Sequence, residues 1–210
     1  MLSYLEIPAQ EVERGVIIWL HGLGADGSDL EPVAQMLNLP GLRHILPDAP
    51  VRPVTINGGL AMRAWYDIAD ANISGAAEDS KGMIASAEAV AALATSRVKP
   101  GMPLLVIGFS QGGVIALILG LTLLKDVAGI GVLSGYMPSF LESEPWFNPV
   151  LFMAHGVQDS VILPNWGRAS RDRLAPSGSS VIWREYPMAH AICQEEIQDL
   201  TKWARHTLGL

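Results

Sequence analysis

The stretch Leu104 to Gly120, LLVIGFSQGGVIALILG, constrains this chain more than any other. An apolar run ends in Gly108-Phe109-Ser110-Gln111-Gly112, and a second apolar run follows at once. A buried strand, a very tight turn and a buried helix write that pattern. Glycines two residues to either side of Ser110 give G-x-S-x-G, in which a Cβ at either flank would strike neighbouring backbone. The turn presents the serine hydroxyl at a helix N-terminus, where backbone N–H groups can stabilise an oxyanion. Taken alone, the pentapeptide fits equally a serine that merely caps a core helix. The residues downstream favour the first reading.

The 210 residues suit one folding unit, 1–210, with a sizeable core, and half of them are hydrophobic. A net charge of −7 without any Lys/Arg run disfavours a nucleic-acid partner. Cys193 is the single cysteine, so no intramolecular disulfide forms, which fits a reducing compartment. No basic, then apolar, leader opens the chain, and the apolar run near Val114–Leu124 is too short and too interrupted to span a bilayer. A cytoplasmic protein without integral membrane association is expected.

Short β-like runs alternate with helical ones. Strands are expected at Leu2–Ile7 (an edge), Val16–Leu20, Arg43–Leu46, Leu104–Ile107, Val127–Leu133, Val150–Ala154 and Ser180–Tyr186. Helices are expected near Asp29–Leu39, Asp79–Val98 with Asp79 or Ser80 as cap, after Ser110, at Pro164–Leu174 and at Cys193–Leu208. Pro47–Gly59 and Ser134–Asn148 read as loops, and Ala64–Ile68 as a short extended piece. Strands separated by helices imply right-handed crossovers and a mostly parallel sheet covered on both faces. Ligands then bind beyond the carboxyl ends of the strands.

Three loops at those ends carry Ser110, then Asp159 in HGVQD, then His190 in PMAH. A serine hydroxyl needs an imidazole to take its proton, and the imidazole needs an acceptor at its other nitrogen. Singly, His190 reads as a surface histidine and Asp159 as a turn residue. In this order on these loops they read as catalytic partners of Ser110. Backbone N–H groups of Gln111 and of Leu23, in the loop His21–Gly27, are the candidate oxyanion donors. His21 and His155, each beside a glycine at a strand end, are expected to brace the site loops. The five histidines show no metal-ligand spacing.

That same loop carries a rival reading. Gly22, Gly24 and Gly27 spell G-x-G-x-x-G between a strand and a helix, with Asp48 placed where a dinucleotide fold has its ribose acid. An oxidoreductase of that kind would leave Ser110, Asp159 and His190 unexplained. A non-catalytic binding module on the same fold is a further alternative.

The motifs HGLGADG, RAWYDI, GFSQGG, LSGYMP, HGVQDSV and YPMAHAICQEEI, spread from about Val16 to Ile197, together resemble the bacterial carboxylesterase, acyl-protein thioesterase and lysophospholipase family of α/β-hydrolases. The resemblance implies an α/β-hydrolase fold and a Ser110–His190–Asp159 triad, with oxyanion donors at Leu23 and Gln111. It also implies no cofactor, a small ester or thioester substrate with a short to medium acyl chain, and often a homodimer. No inserted stretch is long enough for a cap domain. The chain departs from the family pattern at Ala189 and Ala191 around the histidine, and in the run Ser160–Leu163 after the aspartate. Leu23, Trp65, Met137, Phe140, Trp146 and Met188, by their position near site loops, are candidate walls of an acyl pocket, with ordinary packing as the competing reading.

Overall fold

A computed structural model describes residues 2–70, 78–141 and 146–210. Residues 142–145, part of the expected loop Ser134–Asn148, lie outside it. The elements in chain order are β1 (Tyr4–Ile7), β2 (Gly15–Leu20), α1 (Glu31–Met36), β3 (Leu42–Pro47), β4 (Val51–Val54) and β5 (Leu60–Arg63). Then come α2 (Ser80–Arg97), β6 (Leu104–Phe109), α3 (Gln111–Ile118), β7 (Gly129–Leu133), β8 (Val150–Gly156), α4 (Pro164–Leu174), β9 (Val181–Tyr186) and α5 (Gln194–Leu208).

Among the described residues, seven strands form one sheet in the order β1-β3-β2-β6-β7-β8-β9. Every pairing in it is parallel except that of the edge strand β1. From β2 the chain runs outward to β3 on one side, and from β6 onward to the other. The strand order therefore reverses between β2 and β6, the place beyond whose carboxyl ends sheets of this kind bind ligands. The register is level across the sheet. Leu20 pairs with Gly108, Phe109 with Leu133, Leu133 with Ala154 and Gly156 with Tyr186. The loops that follow these strands consequently open onto a single rim.

Strands β2, β6 and β7 are near-continuous apolar runs because both faces are covered. One face packs with α2, α3 and α4 around Val16, Ile18, Val106, Met83, Val90 and Leu174. The other packs with α1 and α5 around Ile17, Trp19, Leu105, Ile107, Leu200 and Trp203. Asp79 caps α2 by accepting from Gly82 N at 2.9 Å. Two expectations change. The segment Pro47–Gly59 is not all loop: it contains β4, which pairs with β5 just beyond it as an antiparallel hairpin, with Pro53 paired to Ala61. A two-stranded ribbon has free edges, and there a proline's missing N–H costs no ladder bond. The helix expected at Asp29–Leu39 is a 3₁₀ turn, Gly27–Leu30, followed by the six residues of α1.

One buried group in α5 makes stability depend on pH. Glu196 is fully buried, and neither carboxylate oxygen meets hydrogen-bond geometry with a partner. Burial pushes its pKa up to about 8, against a smaller lowering by the Cys193 backbone. The unfolded carboxyl, with an ordinary pKa of 4.5, loses its proton well before the folded one. Its contribution is therefore complete below that value and is lost as pH rises through about 8, on the order of 2–4 kcal/mol. Urea unfolding at pH 5 and pH 8.5 is expected to show this loss in the native chain, reduced by that amount in Glu196→Gln.

Candidate active site

Strand β6 ends at Phe109, and Ser110 follows with φ 54° and ψ −120°, outside the regions open to ordinary residues. Its N–H is held by Leu133 O at 2.8 Å, and its carbonyl accepts from Gly113 N at 2.9 Å. The flanking glycines are required by close approach. A Cβ at Gly108 would overlap the Gly112 carbonyl, and one at Gly112 would overlap the Leu20 carbonyl. The turn is thus clamped between its own helix and the end of β2.

His190, after β9, lies over this turn. Its Nε2 is 2.9 Å from Ser110 Oγ, and its Nδ1 is 2.7 Å from Asp159 Oδ2. Asp159 is buried after β8, and its Oδ1 accepts from Val161 N and Ile162 N, each at 2.9 Å. Both carboxylate oxygens are therefore occupied, and the aspartate has one orientation. With Asp159 accepting at Nδ1–H, the His190 Nε2 lone pair faces the hydroxyl, which is the arrangement that lets an imidazole remove its proton. The Phe109 ring packs on His190 with centroids 4.8 Å apart. The sequence reading did not single out Phe109. Its position between Gly108 and Ser110 was the available signal.

The loop after β2 abuts the same serine, since a Cβ built at Gly22 would lie 3.5 Å from Ser110 Cβ. His21 braces this loop as expected. Its Nε2 accepts from Ala49 N at 3.0 Å, so its Nδ1–H donates to Gly22 O at 2.7 Å. His155 braces the acid loop through Nε2–H to Ile162 O at 2.7 Å, and lies 3.5 Å from Asp159 Oδ2. Burial lowers the pKa of both imidazoles, which keeps them neutral. Within the loop, Gly24 N donates to Arg63 O and Ala25 N to Gly22 O. Gln111 begins α3, where no earlier turn supplies a carbonyl for its N–H.

The rival dinucleotide reading fails on this geometry. Asp48 accepts from Gly27 N at 3.0 Å and Ser3 Oγ at 2.9 Å, and pairs with Arg63 at 3.3 Å. Gly27 itself lies against the Leu46 carbonyl with no room for a Cβ. These residues fasten the loop to β3 and engage the Asp48 carboxylate that the ribose would need.

The apolar candidates do not all converge. Trp65 has no accessible surface and cannot line an open pocket. Its indole N–H donates inward to His21 O at 2.9 Å. Met137 is buried, Phe140 and Trp146 are half-buried against the same core, and Met188 packs in the core on the opposite face of the sheet. Leu23 is half-buried in the loop that abuts Ser110.

A parallel sheet of this order, with a strained serine at the switch point bonded to a histidine–aspartate pair, defines a serine hydrolase of the α/β-hydrolase class. Comparison with known proteins narrows this. A sequence profile described as Phospholipase/Carboxylesterase matches residues 4–208, and the chain belongs to that family. It is 33% identical to an acyl-protein thioesterase 1 of Cryptococcus neoformans over 99% of this chain and 98% of that one. It is 34% identical to a probable carboxylesterase of Oryza sativa over 93% of this chain and 78% of that one. The crystal structure of Zea mays acyl-protein thioesterase 2 superposes with a TM-score of 0.88 at 30% identity, covering all of both chains. These relatives are fungal and plant proteins, a wider origin than the bacterial group the motifs resemble.

Proposed function

We propose that this protein hydrolyses small carboxylic esters by two-step acyl transfer, with Ser110 as nucleophile, His190 as general base and acid, and Asp159 as the group that orients His190. The observation that carries the reading is the unbroken chain Ser110 Oγ, His190 Nε2, His190 Nδ1, Asp159 Oδ2, with links of 2.9 and 2.7 Å. Ser110 Oγ bonds to the acyl carbon while its proton passes to His190. That proton leaves with the departing alcohol or thiol. Water, deprotonated by His190, then attacks the acyl-enzyme, and the proton returns to Ser110 as the acid departs. The N–H groups of Leu23 and Gln111 hold the oxyanion. In support, the N–H groups of Gly24 and Ala25 are already donated elsewhere.

The same attack serves a thioester, and the acyl-protein thioesterase names of several relatives favour that leaving group as the second reading. Lysophospholipid is a third substrate of the same chemistry. We place the enzyme in the cytoplasm, on the strength of its single cysteine and its charge. Among the described residues no helix is long and apolar enough to cross a membrane. A homodimer, the form that proteins with these motifs often take, is tested by sedimentation.

A fluorophosphonate probe is expected to label Ser110 in the folded protein. Hydrolysis rates from acetyl to palmitoyl, on oxygen esters and thioesters in parallel, are expected to be highest at short to medium chains. A folded protein that neither labels nor hydrolyses any of these esters overturns the reading.

A further inference from the structure

The two proposed oxyanion donors stand on separate elements, Leu23 in the loop after β2 and Gln111 at the start of α3. Stabilising a tetrahedral intermediate requires both to reach one oxygen at hydrogen-bond distance. A gap that drifts by a few tenths of an ångström weakens both bonds. Something must therefore hold the two elements at a set separation, in addition to the close approach of Gly112 to Leu20 and His21.

Trp65 is placed to do so. Its main-chain N–H donates to Gln111 Oε1 at 2.8 Å, and Gln111 Nε2 donates to Tyr66 O at 2.7 Å. Its indole Nε1–H donates to His21 O at 2.9 Å, two residues before Leu23. The His21 ring packs on the indole with centroids 5.2 Å apart. Ser86 Oγ, from α2, donates to the Trp65 carbonyl and fixes the segment from below. Arg63 O, two residues earlier, accepts from Gly24 N at 2.8 Å. One buried residue with two rotatable side-chain bonds thus holds the side chain of Gln111 through its backbone and His21, two residues before Leu23, through its indole.

We propose that Trp65 is a positioning residue that sets the separation between the Leu23 and Gln111 donors, acting through His21 and through the Gln111 carboxamide. The inference rests on the hydrolase reading above. It does not place Trp65 in contact with substrate.

The test uses Trp65→Phe, which keeps a ring and deletes the N–H, and Gln111→Met, which cuts the opposite tie. Active sites are counted by fluorophosphonate labelling, so that rates refer to folded enzyme. In each variant kcat for a p-nitrophenyl ester is expected to fall about tenfold with KM changed less than about twofold. Inhibition by a trifluoromethyl ketone, whose adduct carries the oxyanion, is expected to weaken in the same proportion. A lower melting temperature with kcat per active site and ketone affinity unchanged in both variants marks Trp65 as packing and overturns the inference. A native protein that neither labels nor hydrolyses overturns the hydrolase reading and this inference with it. Normal labelling with unchanged variants removes this inference alone.

Discussion

Ser110→Ala is expected to lower ester hydrolysis about a million-fold, the loss typical of a hydrolase that gives up its nucleophile. That factor corresponds to about 8 kcal/mol of transition-state stabilisation. The loss is chemical, because the scaffold around the serine does not depend on its hydroxyl. The Ser110 N–H and carbonyl bonds to Leu133 and Gly113 belong to the backbone and survive the change. Alanine carries the same Cβ at the same positive φ, so backbone strain is equal in the two proteins. Stability is expected to change by less than about 1 kcal/mol. Urea unfolding alongside a p-nitrophenyl ester assay checks both statements, and substantial activity in the folded variant removes Ser110 from the mechanism.

Asp159→Asn is expected to cost about ten-thousand-fold in kcat, with the fold retained. The surroundings dictate the orientation of the new amide. Asp159 Oδ1 accepts from two backbone N–H groups, Val161 and Ile162, so the amide oxygen must take that place. The amide NH₂ then faces His190 Nδ1, which accepts instead of donating. The imidazole proton moves to Nε2 and points at Ser110 Oγ, leaving no lone pair to receive the hydroxyl proton. Turning the amide over would set NH₂ against two donors, which is worse. Neutron or NMR detection of the ring proton checks the tautomer independently of the rate. An Asp159→Asn enzyme with its proton still on Nδ1, or with native kcat, contradicts the role given to Asp159.

Much of the layout was legible because local chemistry decided it. The apolar run, glycine pair and second apolar run around Ser110 admit few other conformations. Pro164 marked the start of α4, and the pair Asp79-Ser80 the start of α2, where Asp79 is the cap. The β4–β5 hairpin was not legible, since Pro53, Gly58 and Gly59 read as loop. It forms because Gly58 and Gly59 take positive φ at its turn and Pro53 sits on a ribbon with unpaired edges. Asp48 misled for a related reason. Its spacing from the glycines fits a ribose acid, and only its hydrogen bonds to Gly27 and Ser3 show that it fastens a loop.

The order of strands and helices, the strained turn at Ser110 and the sequence positions of a hydroxyl, a carboxylate and an imidazole follow from the chain itself. These depend on neighbours a few residues apart and on the period of apolar residues. The meeting of Ser110, His190 and Asp159, the burial of Trp65 against the loop after β2 and the placing of Met188 on the other face of the sheet were decided by tertiary structure. Each depends on strand order and register, which bring residues scores of positions apart within about 3 Å through contacts that no local pattern records.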